Sequence, residues 1–272
     1  MNPGIVNIWV RYWISKFGIP KEVVHFEYDT SKIQTSFKTK QLAITWSPHE
    51  FLVENVRDPS GVALGRRKIK PIIPNAISDR EDMKSILSPV MKLGKYPKGF
   101  VVLHEENLTL SYKYNIPSKF IYAVDDDVMD SMIKIYKEGG KLSEEDFTVI
   151  KNIENPLKGS DSIGVILDYR NKKIYYFNSI SNVSIIGTNA TYFQVVIGVF
   201  AALFTLLFNK NKLKKGVYFT EDLFNTNYKD YVFDNMRVQE FVFQKKGGKL
   251  KPVSYNPTIS STKASNFKHI YI

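Results

Sequence analysis

The sequence predicts a single α+β domain in which helices pack against a mixed β-sheet. Segments with the two-residue alternation of strands are interspersed with segments that have the 3.6-residue period of helices. Of the 272 residues, 43% are hydrophobic and 14% aromatic, which is enough for one large core. The chain has no internal repeat. We expect the domain to cover residues 1–243, and residues 244–272 to form a basic, polar tail.

The first half of the chain alternates between helical and extended patterns. Asn2 at a cap position, Pro3 at the first helical position and Gly18 after the last one predict a helix. A short helix interrupted at Pro89 is expected within residues 79–94. Strands are predicted at 22–28, 41–46, 99–105 and 119–124, and a basic loop at 59–74.

The second half begins with helical signals and then turns to strands. Acidic residues in the first turn and glycines after the end predict a helix over residues 126–138. A serine cap predicts another helix over 143–152. Residues 163–178 are expected to form a hairpin with its turn near Asn171. A long helix over 189–208 and a strand over 237–243 follow.

The long helix is the most apolar segment, and its character bears on the class of protein. Twenty residues span about 30 Å, close to the hydrocarbon thickness of a bilayer, and lysines follow the segment. However, Gln194, Gly198, Ala201 and Thr205 form a small or polar stripe that is suited to packing against protein. With Asn189 as its N-cap, the helix is predicted to lie against the sheet of a soluble domain rather than to span a membrane.

Composition and missing motifs exclude several functions. The chain has no cysteine, no H-E-x-x-H, no G-x-S-x-G and neither of the glycine-rich phosphate-binding motifs. We therefore expect no metal site and no cofactor site in this chain. No signal peptide is recognisable, so a cytoplasmic or virion location is expected rather than secretion. The net charge of +11 leaves an anionic partner such as nucleic acid open.

Acidic residues at predicted strand ends are the candidates for chemistry. Glu27 follows one strand, His104 and Glu106 follow another, and Asp126 and Asp127 follow a third. Each group also has an ordinary explanation, either a solvated strand end or helix capping. Together with the indole of Trp46, these carboxylates are suited to an organic cation, because carboxylates pair with ammonium groups and indole adds cation–π attraction.

Several segments, in the same order along the chain, resemble the bacterial homospermidine synthases of the saccharopine-dehydrogenase-like group. The segment "NATYFQVVIGVFAALF" looks like the family pattern N-A-T-S-x-Q-V-x-A-G-V-x-A, and "GVYFTEDL" looks like G-V-x-x-P-E-D-L. The similarity runs from Asn2 to about Tyr231. The other similar segments are "NPGIV", "VVHFEYDT", "TWSPHEF", "VVLHEENLTLSYKY" and "YAVDDDVMDSM".

The resemblance implies a soluble, dimeric α+β domain from an NAD-dependent enzyme that acts on putrescine. Members of the family carry an N-terminal Rossmann domain for NAD, and this sequence resembles only the C-terminal substrate and dimerisation part. By resemblance, Glu27 would bind an ammonium group and Trp46 would stack on the cation. His104 and Glu106 would handle protons or hold the second amine, and Asp126 and Asp127 would line the pocket.

The sequence also departs from the family pattern. Arg67 and Lys68 stand where the family has histidine and glutamate, and Ala123 stands where it has histidine. Cations at 67 and 68 would repel a diamine.

We therefore expect a non-catalytic domain retained as a structural or assembly protein, as a viral setting would allow, and forming a homo-oligomer or part of a larger protein assembly. Two alternatives remain open. One is the substrate half of a split homospermidine synthase, completed by a separate Rossmann subunit. The other is a basic module for nucleic acid or an anionic surface, using residues 63–70, 210–215 and 245–251.

Overall fold

The computed structural model describes residues 4–34, 41–71, 75–153, 156–209, 211 and 213–259. They form one α+β domain with a ten-stranded mixed sheet and two small two-stranded sheets, which confirms the predicted fold class. In chain order, the strands are β1 (Glu22–Asp29), β2 (Lys32–Ile33), β3 (Leu42–Ile44), β4 (Gly61–Ala63), β5 (Ile69–Pro71), β6 (Arg80–Asp82), β7 (Lys98–Val102), β8 (Ser118–Val124), β9 (Phe147–Val149), β10 (Leu157–Lys158), β11 (Ser160–Asp168), β12 (Lys172–Ser181), β13 (Val238–Lys246) and β14 (Lys249–Ile259).

The helices lie between these strands in the chain. They are α1 (Ile5–Phe17), α2 (Pro48–Leu52), α3 (Lys84–Leu87), α4 (Glu105–Tyr114), α5 (Asp126–Lys137), α6 (Ala190–Asn209) and α7 (Asn227–Asn235). A wider, π-helical turn over Val53–Arg57 continues α2. Asn2 and Pro3, which predict the start of α1, lie outside the described residues.

Strand β1 lies at the centre of the large sheet. The strand order is β14-β13-β12-β11-β1-β8-β4-β5, and β7 joins β8 to β6. Strand β1 runs parallel to β8 and antiparallel to β11, and this parallel pair makes an otherwise antiparallel sheet mixed. The hairpin β13–β14 and the hairpin β4–β5 therefore lie at opposite ends of this strand order.

One face of the sheet is covered by two separate groups of helices. Helices α1, α6 and α7 pack on β11 and β12, and the core that they form includes Val165 and Tyr176. Helices α2 and α5 pack on β7 and β8 around Phe120 and Tyr122. Because side chains alternate along a strand, His25, Glu27 and Asp29 of β1 point to this same face. Polar residues of β1 thus lie where the two groups of helices meet.

Three predictions of local structure are wrong. Residues 143–152 form a single 3₁₀ turn followed by β9 instead of a helix. Glu105 and Glu106 begin helix α4 rather than ending a strand. Residues 244–259, predicted as part of a tail, complete β13 and form β14; residues 260–272 lie outside the described residues.

Helix α1 carries two tryptophans, Trp9 and Trp13, and both are buried in the domain itself. Both rings pack edge-on against Tyr176 of β12, with centroids 5.7 Å apart in each pair. Their burial therefore gives no indication of a partner.

Helix α6 matches its prediction on one side only. The backbone N–H of Tyr192 donates to Asn189 Oδ1 at 2.9 Å, so Asn189 is the predicted N-cap. The expected stripe is buried and comprises Gln194, Gly198, Ala201 and Thr205. The opposite face is apolar and exposed. Among the described residues, α6 is the one helix long and apolar enough to cross a membrane, judged by length and composition alone.

Candidate functional site

A small cavity opens where the two groups of helices meet on the sheet. Its volume is about 120 Å³. Strands β1 and β8 form its floor, the π-helical turn and the start of α4 form one wall, and α6 forms another. The lining residues are Glu27, Trp46, Glu54, His104, Phe120, Tyr122, Thr191 and Val195. The cavity therefore combines carboxylates, an imidazole, aromatic rings and the hydroxyls of Tyr122 and Thr191.

Glu27 is the buried acid of this cavity. Because side chains alternate along β1, the side chain of Glu27 points to the helix-covered face. The residue is only 5% exposed. Burial, helped by the charge of nearby Asp29, raises the pKa of Glu27 from 4.5 to about 7. Near neutral pH, Glu27 can therefore gain or lose a proton, and a cation that enters the cavity would favour the charged form.

His104 stands at the rim between two carboxylates. Its backbone N–H donates to Asn107 Oδ1 at 2.8 Å, which fixes the residue just before α4. The imidazole Nδ1 pairs with Glu106, and Nε2 lies 3.3 Å from Glu54 Oε1. Burial lowers the pKa of His104, but the carboxylate of Glu106 outweighs burial and raises it to about 9. His104 is therefore an imidazolium at neutral pH.

Glu106 acts on the cavity through His104. It is buried, and its Oε1 accepts a hydrogen bond from the backbone N–H of Gly4 at 3.0 Å. Burial by itself would raise the pKa of Glu106, but nearby positive charge, chiefly that of His104, together with hydrogen bonds holds it well below the usual range. Glu106 does not line the cavity, so the geometry assigns it to positioning His104 rather than to contacting a ligand.

A second buried acidic pair lies beside Glu27. Asp29 and Asp161 face each other across β1 and β11. Thr45 Oγ1 donates to Asp29 Oδ2 at 2.5 Å, Thr191 Oγ1 donates to Asp161 Oδ2 at 2.7 Å, and the two hydroxyls lie 3.0 Å apart. Burial raises the pKa of both aspartates, in the case of Asp161 well above its usual value. These hydrogen bonds tie β1, β11 and the start of α6 together.

Aromatic rings form the apolar part of the cavity. The indole Nε1 of Trp46 donates to the hydroxyl of Tyr122 at 2.9 Å, and the two ring centroids lie 6.3 Å apart. The rings of Phe120 and His104 meet edge to face at 5.2 Å. Desolvation raises the pKa of Tyr122 well above its usual value, so its phenol stays neutral. A cation in the cavity would therefore meet ring faces as well as carboxylates.

The structure brings only some of the predicted site residues together. Glu27, Trp46 and His104 line the cavity, and Glu106 lies directly behind His104. Asp126 and Asp127 do not line it. They occupy the first turn of α5, where Asp126 lies 3.3 Å from Lys95 and Asp127 is exposed. The reason is that α5 starts immediately after β8 and points this turn outward.

The two cations expected to repel a diamine also lie elsewhere. Arg67 and Lys68 are exposed in the turn between β4 and β5, and neither lines the cavity. Arg67 has a φ of 56°, in the left-handed region that side chains rarely adopt. The positive charge of this turn therefore does not contribute to the charge balance of the cavity.

Sequence reasoning missed Glu54, Tyr122 and Thr191. In the sequence, Tyr122 has the pattern of an ordinary core residue of a strand, and Thr191 has the pattern of a residue at the start of a helix. Glu54 is carried by a π-helical turn, a type of turn that is frequent at functional sites. The 3.6-residue periodicity of an α-helix does not predict the position of Glu54, because the wider π-helical turn interrupts that periodicity. An acid within the apolar strand β11, at Asp161, was the one available signal for the buried pair.

The described residues are a poor fit for metals and dinucleotides. None of their His, Asp and Glu side chains form a group of three suited to a metal ion. A cavity of about 120 Å³ is below the range of about 300–1,000 Å³ typical of drug-sized ligands, so it does not fit a dinucleotide. A small ligand with one cationic end suits its size and charge.

Comparison with known proteins finds a likeness among solved structures. No family model matches the chain, and no curated protein matches it. Among solved structures, the chain is similar to the homospermidine synthase of Legionella pneumophila in complex with NAD, with a TM-score of 0.65 and 14% identity. The match covers 100% of this chain and 64% of that chain. At this identity the likeness shows the fold alone: the chain has a fold similar to part of a homospermidine synthase.

Proposed function

We propose that this chain is an amine-binding domain, and that its cavity holds the ammonium end of a small primary amine such as putrescine. The observation that carries the proposal is Glu27, a buried carboxylate that lines a cavity walled by aromatic rings. Burial makes the ionised form of Glu27 costly even with His104 nearby, and an ammonium group beside it would relieve that cost.

The balance of charge around the cavity supports a cationic ligand. Glu54 and Glu106 both contact His104, so one imidazolium faces two carboxylates. An ionised Glu27 adds a third carboxylate, and negative charge is then in excess. The faces of Trp46 and Tyr122 would add cation–π attraction of about 0.5–2 kcal/mol.

Among the roles considered from sequence, this site favours the substrate-binding half of an enzyme over a domain kept only for its shape. The fold likeness to a homospermidine synthase agrees with that choice. Because the sequence has no glycine-rich phosphate loop, NAD would have to be held by another domain or subunit. Incubated with putrescine and NAD, this chain alone is expected to form no homospermidine.

The nucleic-acid alternative has less support. Its basic clusters at 63–70 and 245–251 lie in the β4–β5 and β13–β14 hairpins, at opposite ends of the strand order. A single electrostatic footprint needs its cations on one continuous surface. A structural or assembly role stays a prediction.

Calorimetry with putrescine tests the proposal. We expect a Kd on the order of 1 mM, equivalent to about 4 kcal/mol. Glu27→Gln should weaken binding at least tenfold, because the amide keeps the shape of the side chain and loses its charge. Asp126→Asn is the matched control, with the same chemical change outside the cavity, and should leave the Kd unchanged. Equal effects of the two variants would refute the site.

Binding should also depend on pH with a defined sign. Only ionised Glu27 attracts a cation, and its pKa is about 7. Affinity should therefore rise from pH 6 to pH 8 in the unchanged protein and stay flat over that range in Glu27→Gln. A pH dependence that persists in the variant would assign the titration to another group.

A further inference from the structure

The outer face of helix α6 is an extended apolar surface that the described part of the chain leaves uncovered. Its members are between 42% and 65% exposed, and they are Phe193, Val196, Val199, Phe200, Leu203, Leu206, Leu207 and Phe208. Twenty residues of helix extend for about 30 Å. Contiguous apolar patches of this kind are rare on soluble monomers and mark interaction sites.

The apolar character continues beyond both ends of the helix. Val183 and Ile186 precede it and are 74% and 94% exposed. Val217 follows it at 86%, next to the partly exposed rings of Tyr218 and Phe219. The unpartnered surface is therefore longer in sequence than α6 itself and ends in aromatic residues, which are favoured at the boundary between apolar and aqueous phases.

The charge around this face has one sign along a long stretch of sequence. No aspartate or glutamate occurs from Ile174 to Thr220. Lys214 and Lys215 are exposed after the helix, and exposed Lys151 lies near its start, with Nζ 5.5 Å from the ring centroid of Tyr192. Helix α7, which flanks α6, carries the exposed acids Asp230 and Asp234.

We infer that the outer face of α6 docks on an anionic membrane surface, with the helix lying in the plane of the interface. An anionic lipid layer offers apolar tails to the helix face and negative headgroups to the lysines at its ends. Nucleic acid would match the lysines but leave the apolar side chains in water.

A second copy of the chain fits less well because of charge. A two-fold pair with antiparallel α6 helices would bring Lys214 and Lys215 towards the partner copy's equivalent of Lys151. A parallel pair would bring Lys214 and Lys215 towards their own equivalents. Isologous contacts must be self-complementary, and these lysines are not. The net charge of +11 adds repulsion between copies and attraction to an anionic surface.

The inner stripe keeps the helix on the domain and argues for docking rather than spanning. Gln194 Nε2 donates a hydrogen bond to Asn178 Oδ1 at 2.9 Å, and the hydroxyl of Thr191 donates one to Asp161 Oδ2 at 2.7 Å. Gly198, Ala201 and Thr205 are buried on the same side. A spanning helix would have to expose these polar groups to lipid, where no water is present to satisfy their hydrogen bonds.

Vesicle co-sedimentation tests the inference. The chain should bind vesicles of phosphatidylcholine and phosphatidylglycerol in equal parts at least tenfold more tightly than vesicles of phosphatidylcholine alone. Leu203→Glu and Leu207→Glu should each reduce binding at least tenfold. Val253→Glu is the matched control, because Val253 is 64% exposed on β14, away from α6, and it should bind like the unchanged chain.

The lysines provide a second, independent readout. Lys214→Glu and Lys215→Glu should each weaken binding to anionic vesicles by about fivefold or more. Added salt should weaken it as well. If the leucine variants proved unfolded by circular dichroism, the lysine variants and the salt dependence would decide.

Three results would overturn the inference. One is the absence of binding to anionic vesicles. Another is equal binding to both kinds of vesicle. The third is a dimer in sedimentation that Leu203→Glu converts to a monomer while vesicles are not bound, which would assign the face to a second copy.

Discussion

Two groups of carboxylates lie at the ends of neighbouring strands of this protein, and they differ in their surroundings. The inner carboxylates, Glu27, Asp29 and Asp161, lie under helices at the end of β1 and the start of β11. The outer carboxylates, Asp125, Asp126 and Asp127, start α5 after β8. Because β1 and β8 are parallel neighbours, both groups lie towards the same edge of the sheet.

Two of the outer carboxylates are paired with lysines, whereas burial dominates the surroundings of the inner ones. Asp125 caps α5 by accepting from the backbone N–H of Asp127 at 3.1 Å, and it pairs with Lys32 at 2.8 Å. Asp29 and Asp161 accept hydrogen bonds from threonine hydroxyls. The charge of His104 only partly offsets the burial of Glu27, and burial raises the pKa of all three inner carboxylates. Similar acidic strand ends in sequence thus become a structural cap in one place and a candidate cation site in the other.

The largest expected effect on stability comes from removing one charge of the buried pair Glu106–His104. Glu106→Gln should lower the free energy of unfolding by about 3–5 kcal/mol at pH 7, because it removes the buried carboxylate that pairs with Nδ1 of His104 and leaves only Glu54 beside the imidazolium. The pKa of His104 is about 9, so the loss should shrink at pH 10, where His104 is neutral in both proteins. Urea denaturation at the two pH values measures this. An equal loss at both would mean that the charge pair contributes little.

The titration of Glu27 should reduce stability as pH rises. Its pKa is 4.5 in an ordinary environment and about 7 in the fold, so the folded state holds a proton that the unfolded state releases. The contribution of this bound proton to the free energy of unfolding is on the order of 3 kcal/mol. It is complete below pH 4.5 and is lost as the pH rises to about 7.

Glu27→Gln lacks this titration and checks the expectation. The difference in unfolding free energy between the variant and the unchanged protein should move in favour of the variant between pH 5 and pH 8. Asp126→Asn should show no such trend. Parallel curves for all three proteins would contradict the raised pKa.

Removing the outer cap should have a smaller effect. Asp125→Ala deletes the acceptor for the first turn of α5 and the partner of Lys32, and should cost about 0.5–2 kcal/mol. Thermal unfolding measures it. Asp125→Asn should retain most of the stability, because the amide oxygen still caps; a loss equal to that of alanine would assign the effect to the ion pair.

The smallest effect is expected at Asp126. Its pair with Lys95 is exposed on both sides, and such pairs contribute about 0–1 kcal/mol. Asp126→Asn should therefore change the unfolding free energy by less than about 1 kcal/mol and leave putrescine binding unchanged. A tenfold loss of putrescine affinity would return Asp126 to the site.

Local patterns were sufficient for much of the fold. The hairpin β11–β12, the helices α1, α5 and α6, and the central strands follow periodicity and turn chemistry, which act over a few residues. The helix predicted over residues 143–152 is wrong because a serine cap followed by acidic residues is also compatible with a single turn before a strand. Strand β14 was missed because its polar, lysine-rich sequence is typical of an edge strand as well as of a tail.

The sequence by itself determined the fold class, the inner stripe of α6 and the chemical types available for a site. Alternation along β1 also determined that Glu27 and Asp29 share a face. Tertiary structure decided which acids meet, because that depends on the strand order and on where helices leave the sheet. It buried Glu27 beside Trp46 and His104, turned Asp126 outward, and left one face of α6 uncovered. Burial and neighbouring charge arise from contacts between distant segments, and periodicity along the chain does not encode them.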